Sequence, residues 1–358
     1  MKIDLEKIYR NKTVLITGHT GFKGSWLSFY LNKLGAKVIG YGLDPICKDN
    51  IFELTDLKNK VVDIRKDIRD YKRLKEVIDD YKIDCIFHLA AQALVKESYI
   101  NPRETYEINV LGSANLLEAF RLNAYTKAAV IITSDKCYEN KEWLWGYREN
   151  DRLGGLDPYS SSKGCAEILV SSYLRSFFSK DKLNSGKALA SARAGNVIGG
   201  GDWSPDRLIP DSIRSLLNNS IINLRMPQAI RPWQHVLDPI YGYILLGAKL
   251  MTNGVEFSGS YNFGPRLEST ITTEELVNKL LRYWGSGSYS KELPNEVFHE
   301  AGLLRLDITK AKELLGWVSN WDVDKAIKNT VEWYKNINTE SCEDIVNSQI
   351  DDFTETIV

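Results

Sequence analysis

Thr13-Val-Leu-Ile-Thr17-Gly18-His19-Thr20-Gly21-Phe22-Lys23-Gly24 is a β-branched run that closes on three glycines at three-residue spacing. It passes into Phe22 to Leu34, where Trp26, Leu27, Tyr30, Leu31 and Leu34 recur at helical spacing until Gly35 stops the helix. Lys37 to Tyr41 then reads as a second strand. Strand, glycine turn, helix and strand make a βαβ unit.

The alternation continues downstream. Val61 and Val62 predict a strand, Tyr71 to Asp80 a helix, Ile83 to Leu89 a buried strand, Arg103 to Asn123 a helix and Ala129 to Thr133 a strand. A helix from Pro158 to Phe178 and a strand from Lys187 to Arg193 follow. Repeated βα units imply an α/β protein of Rossmann type, with a doubly wound parallel sheet covered on both faces. After Gly195 the rhythm breaks into a Gly199-Gly-Gly-Asp-Trp-Ser-Pro205 cluster and proline-punctuated segments. The expected organisation is a dinucleotide-binding domain over 1–195, with part of 236–265 returning to it, and a smaller C-terminal α/β substrate-binding domain over 196–338. That second part predicts helices at Pro239 to Leu250, Thr273 to Trp284, Ile308 to Leu315 and Val323 to Tyr334. An acidic tail over 339–358 reads as a loosely packed arm or as disordered.

Composition narrows the function. The 358 residues carry 46 Lys plus Arg against 47 Asp plus Glu, a formal net charge of −1. This balance argues against a generally basic nucleic-acid-binding surface. The five cysteines are scattered, without a C-x-x-C pair or Cys/His cluster, so neither a disulfide framework nor a metal site is expected. Met1 to Asn11 lacks an apolar signal-peptide core, and no later run approaches the roughly 18 apolar residues of a membrane span. The expectation is a soluble, cytoplasmic chain.

The glycine turn lets the backbone approach a pyrophosphate, whose charge meets N–H groups at the start of the Phe22 helix. Gly18, His19, Gly21, Phe22, Lys23 and Gly24 are therefore candidate cofactor contacts. Asp44 either accepts from a ribose 2′-hydroxyl, which favours NAD over NADP, or is a turn residue before Pro45. Asp67 and Ile68 suit an adenine, one as acceptor and the other as packing surface. Leu89, Ala90 and Ala91 let a cofactor lie against the backbone of the fourth strand end. Tyr159 and Lys163 share a helix face at i and i+4, where an ammonium favours phenolate and would draw the Tyr159 pKa down. Ser134 closes the fifth strand within reach of the same substrate oxygen. Arg207 and Arg231 offer guanidinium forks suited to a diphosphate, although salt bridges and caps explain such residues equally well. Trp143 and Trp145 read either as core packing or as a lid.

Together the Gly18 to Gly24 turn, Ser134 and the Tyr159/Lys163 pair resemble the extended short-chain dehydrogenase/reductases over nearly the whole chain. The resemblance implies a Rossmann domain binding NAD(P), a C-terminal part binding a nucleotide sugar, and a homodimer joined through the Arg103 to Asn123 and Pro158 to Phe178 helices. Longer stretches, Thr17 to Trp26, Thr133 to Asn140, Asp157 to Glu167, Arg193 to Trp203 and Arg231 to Asp238, are similar to the CDP-glucose 4,6-dehydratase branch. That branch implies NAD, a CDP-glucose substrate and a role in deoxysugar synthesis for cell-surface polysaccharide. It adds Asn109, Thr133, Tyr159 and Lys163 to the cofactor contacts, and Gln92, Asn196, Arg207, Arg231 and His235 as substrate contacts. Many sugar-nucleotide dehydratases carry Asp-Glu where this chain has Asp135-Lys136, as CDP-glucose enzymes do. The implied roles are Tyr159 as base at the C4 hydroxyl, Asp135 as acid at C6 and Lys136 as base at C5, its pKa lowered by burial or a neighbouring cation. A nucleotide-sugar epimerase or ketoreductase, which needs no such pair, and a dehydratase of another nucleotide sugar remain alternatives, as does a non-catalytic nucleotide-binding protein.

Overall fold

Thr13–Thr17 (β1) is buried at every residue but its first, as a central strand covered on both faces must be. The computed structural model describes residues 3–179, 181, 186–266, 269–291 and 302–357. Within them, β1 is joined by Lys37–Gly42 (β2), Val62–Arg65 (β3), Cys85–His88 (β4), Ala128–Ile132 (β5), Ala188–Ala194 (β6) and Gly259–Phe263 (β7). All pairings are parallel, and the order is β7-β6-β5-β4-β1-β2-β3. The direction of winding reverses between β1 and β4, so a crevice opens there at the carboxyl edge.

The period of two along each strand separates two cores. Val14 and Ile16 of β1, with Val130 and Ile132 of β5, pack under Phe22–Lys33 (α1) and Leu237–Asn253 (α6). Leu15, Ala129 and Ile131 face the other way, under Tyr71–Asp80 (α2), Gly112–Leu122 (α3) and Pro158–Phe177 (α4). Leu208–Leu217 (α5), Thr273–Trp284 (α7) and Val323–Asn336 (α8), with three two-stranded ribbons, build up the carboxyl edge. The Gly199–Gly201 loop is pinned there: Trp26 Nε1 donates to the Gly200 carbonyl at 3.0 Å, and a Cβ on Gly200 would lie 2.0 Å from the Trp333 ring.

Two expectations are corrected. The single helix expected over Arg103 to Asn123 is interrupted: Pro102–Tyr106 is followed by a π turn over Glu107–Leu111 and then by α3. The turn carries Asn109 inward. Its amide accepts from the Gln92 N–H at 2.9 Å and donates to the Gln92 carbonyl at 3.0 Å and Ser162 Oγ at 2.8 Å. The tail, read as a loose arm, forms Cys342–Glu355 (α9), with Cys342, Ile345, Val346, Ile350 and Phe353 buried along one stripe. Phe353 meets Trp321 edge-on at 5.3 Å, and Lys33 pairs with Asp351 at 2.9 Å. Among the described residues no helix is long and apolar enough to cross a membrane.

Candidate active site

The glycine turn closes onto the end of β4. Gly18 has φ +74°, and a Cβ there would sit 2.8 Å from the Ala90 nitrogen; a Cβ on Gly24 would sit 2.0 Å from the Gly18 carbonyl oxygen. Gly21 is exposed and begins α1 in extended conformation with no side-chain cap, so the first N–H groups of a twelve-residue helix face outward. This cradle fits a dinucleotide pyrophosphate. His19 turns away from it: the ring is wholly buried, 2.8 Å from Asp63 Oδ1 and edge-on to Phe52, and it fills the space that a Gly40 Cβ would need. Asp44 lies at the rim, 91 % exposed and 3.6 Å from Arg65. Asp67 accepts from the Arg69 N–H at 2.8 Å and is held below the ordinary carboxylate range mainly by the Arg69 guanidinium. Ile68 is buried against Gly112. The Ala90 N–H donates to Thr17 Oγ1 at 3.2 Å, and that hydroxyl also meets His88, which reaches Ser113 behind the strand.

The reactive corner is built where β5 ends above α4. Ser134 leaves the strand extended, its Oγ donating to Asp135 Oδ1 at 2.9 Å and accepting the Lys136 N–H at 3.2 Å. Pro158 opens α4, whose first turn is capped by Asp157 accepting the Ser160 N–H at 2.9 Å. Tyr159 stands in that first turn, hydrogen-bonded with Ser134. Two ammonium groups approach its ring, Lys163 Nζ at 5.9 Å and Lys136 Nζ at 6.0 Å from the centroid. Burial outweighs these cations. It pushes Tyr159 up to about 12, not down as the lysine one turn away suggests, with the Ser134 hydrogen bond the main opposing influence. Burial likewise lowers Lys163 to about 8, against the pull of Glu167. It raises Asp135, against Lys136 and Ser134, which favours a carboxyl that keeps its proton to donate.

These groups face a cavity of about 600 Å³. Ser134, Asp135, Lys136 and Tyr159 line it from the sheet side and Lys23 from α1, with Asn196, Arg207 and Arg231 from the later segments. Burial, reinforced by Arg207, lowers Lys23 to about 8. Arg207 meets Asp202 at 3.0 Å, and Arg231 donates to the Ile230 carbonyl at 3.1 Å. Two expected substrate contacts are not brought here. His235 is fully buried between Trp26 and Trp321, 5.9 and 4.7 Å away, because the ribbon bearing it turns into the core. The Gln92 side chain donates instead to the Leu94 carbonyl and to Thr105, both at 3.0 Å, and so shapes the Ala93 to Lys96 wall.

The family model described as GDP-mannose 4,6 dehydratase matches residues 15–330. CDP-glucose 4,6-dehydratase of Salmonella typhimurium is 48 % identical over 332 residues, 92 % of each chain. The chain belongs to the GDP-mannose 4,6-dehydratase family. It is thereby an extended short-chain dehydrogenase/reductase. dTDP-D-glucose 4,6-dehydratase of Dictyostelium discoideum is 34 % identical over 75 % of this chain and 61 % of its own. Among solved structures, dTDP-glucose 4,6-dehydratase from Bacillus anthracis, in complex with NAD, superposes with a TM-score of 0.76 at 21 % identity, covering 93 % of this chain and 99 % of that one. At that identity the likeness concerns the fold.

This GDP-mannose 4,6-dehydratase family member lines its cavity with further residues that the sequence reading passed over. Trp233 is 7 % exposed, and its indole N–H finds no partner among the described residues. Its place between Arg231 and Gln234 was the available signal. Lys96 also reaches the cavity, from a segment without a motif of its own, as does Asp202 from the Arg193 to Trp203 stretch. Trp143 and Trp145 do not line it: Trp143 stacks on Tyr147 at 5.3 Å, which stacks on Tyr138 at 5.2 Å, and Trp145 lies 63 % exposed.

Proposed function

We propose that this protein is an NAD-dependent hydro-lyase that converts CDP-glucose to its 4-keto-6-deoxy derivative. The observation that carries the reading is Asp135 and Lys136, adjacent at the end of β5 and facing one cavity with Ser134 and Tyr159. Oxidation or epimerisation at C4 needs only Ser134, Tyr159 and Lys163; loss of water across C5 and C6 needs an acid and a base beside them. The choice of CDP-glucose follows the activity of the 48 % identical Salmonella relative.

The Gly18 to Gly24 turn would hold NAD, which would supply a hydride acceptor for C4 and the hydride returned to C6. Tyr159 takes the C4 hydroxyl proton while Ser134 holds the same oxygen, and Lys163 lowers the cost of the phenolate charge. The C4 carbonyl makes the C5 hydrogen acidic. Lys136 removes that proton, and Asp135, whose pKa burial raises, gives a proton to the C6 hydroxyl as it leaves as water. Lys136 then returns a proton to C5. Arg207, Arg231 and Asn196 line the same cavity, which supports reading the two guanidinium groups as diphosphate contacts.

The same reading divides the chain at Gly195 into a cofactor half, completed by part of 236–265, and a nucleotide-sugar half ending at 338. It places the enzyme in the cytoplasm, serving deoxysugar synthesis for cell-surface polysaccharide. A homodimer is supported by large apolar side chains left exposed along the π turn, α3 and α4, Leu111 at 59 %, Leu122 at 48 %, Ile168 at 57 % and Phe177 at 41 %. The test of function is incubation with catalytic NAD and a panel of CDP-, dTDP-, GDP- and UDP-hexoses, read by mass spectrometry. Water loss from CDP-glucose without net NADH is expected. Product limited to the amount of added NAD would make the protein a dehydrogenase instead.

A further inference from the structure

Below the reactive corner lies a buried ion pair that the chemistry above leaves unused. Glu167 and Arg193, with side chains 0 % and 3 % exposed, meet at 2.7 Å. Glu167 lies two turns along α4 from Tyr159 and one from Lys163, so all three share a helix face. Its carboxylate ties together the end of β5, β6 and β7. Thr133 Oγ1, one residue before Ser134, donates to Oε1; Ser191 Oγ of β6 donates to Oε2 at 2.8 Å, and Ser260 Oγ of β7 at 3.3 Å. Arg193 extends the network to the Tyr138 hydroxyl at 2.6 Å and the Glu149 carbonyl at 2.9 Å.

The surroundings of Lys163 give this network a second meaning. Cys137 from the turn after β5, His88 on β4, Lys23 on α1 and Tyr159 and Glu167 on its own helix are the titratable groups acting with it. Burial keeps the Cys137 thiol protonated and holds His88 neutral, and Lys23 is itself basic. Burial also opposes the charge on Glu167, but Arg193 and the hydroxyls outweigh it and keep the carboxylate ionised. Among the described residues Glu167 is thus the anion that supports the ammonium of Lys163.

We propose that Glu167, held by Arg193, is a positioning residue: it keeps Lys163 cationic beneath Tyr159 and locks the Ser134 strand end to α4. The inference rests on the reading of Tyr159 as the proton acceptor. Removing the carboxylate leaves burial unopposed, so Lys163 loses its proton at lower pH, and the phenolate loses its cation.

The experiment compares the parent, Glu167→Gln and the charge-neutral pair Glu167→Gln/Arg193→Met. The pair removes the unpartnered buried guanidinium that could by itself unfold the single variant. Water loss from CDP-glucose is followed across pH, and the Lys163 protonation midpoint is read independently by NMR of 13C-lysine-labelled protein. In both variants kcat should fall about ten- to hundredfold. The alkaline limb and the Lys163 midpoint should move down by about one pH unit. The pair should recover Tm without recovering either. An unmoved midpoint in both variants, or a pair that regains parental rate and pH profile, overturns the proposal and leaves the ion pair a packing feature. A parent inactive on CDP-glucose would sink the substrate reading alone, since the Lys163 midpoint still decides this one.

Discussion

The floor of the cavity and its mouth use charge in opposite ways. On the floor, Ser134, Asp135 and Tyr159, with Lys163 behind them, are each at most 9 % exposed, and their neighbours are set by a strand end and a helix start. At the mouth, the Arg207 side chain is 36 % exposed. Desolvation sets protonation on the floor, raising the phenol and the carboxyl and lowering the amine. Water and ions screen the mouth. Substitutions below should therefore change rate, and substitutions above should change affinity.

The largest expected effect is on the floor. Tyr159→Phe should cut kcat by about 100- to 10,000-fold while calorimetry finds nucleotide-sugar binding nearly unaltered. A near-parental rate would show that another group takes the C4 proton. Gly195→Ala should cost less, about tenfold in kcat. A Cβ there would lie 2.9 Å from Asp135 Oδ2 and must displace the carboxyl group proposed as the acid. If KM moves and kcat does not, Gly195 belongs to the mouth.

At the mouth, Arg207→Ala should raise KM about tenfold, the worth of one charged hydrogen bond, with kcat nearly kept. Rising salt should shrink the difference between variant and parent. Equal loss at low and high salt would place Arg207 with the buried groups. The smallest effect lies in the core, outside both regions. Burial pushes Asp238 up to about 7, while Oδ1 accepts the Asn320 N–H. The folded chain therefore binds this proton more tightly than the unfolded one, so stability falls as pH rises from about 4 to 7. Asp238→Asn should flatten Tm over that window without changing kcat. A slope that stays parental assigns the pH dependence elsewhere.

Legibility in the sequence followed the same division. The Thr13 to Gly24 stretch and the recurring apolar periods predicted the strands around β1, because strands buried on both faces read as continuous runs. Tyr159, Lys163 and Ser134 were readable because a helix face and a strand end fix their neighbours locally. His235 and Gln92 were not, since their surroundings come from Trp321 and Thr105, far along the chain or across a loop. The pKa direction of Tyr159 was also hidden: spacing reveals a nearby cation but not the desolvation that outweighs it. In α9 an acidic composition concealed a narrow apolar stripe, which only the surface formed by α8 and Trp321 makes worth burying.

The assignment of a dehydratase depends on Asp135 and Lys136 acting after oxidation, and the variant carrying Asp135→Asn and Lys136→Met tests it most directly. With CDP-glucose and NAD, it should transfer hydride from C4 and stop there. Absorbance of bound reduced nicotinamide should accumulate, with a 4-keto-hexose that keeps its C6 hydroxyl and whose C5 hydrogen does not exchange in deuterated water. If the variant still releases the dehydrated sugar at the parental rate, neither Asp135 nor Lys136 takes part in the loss of water, and the chemical basis for the dehydratase reading is gone.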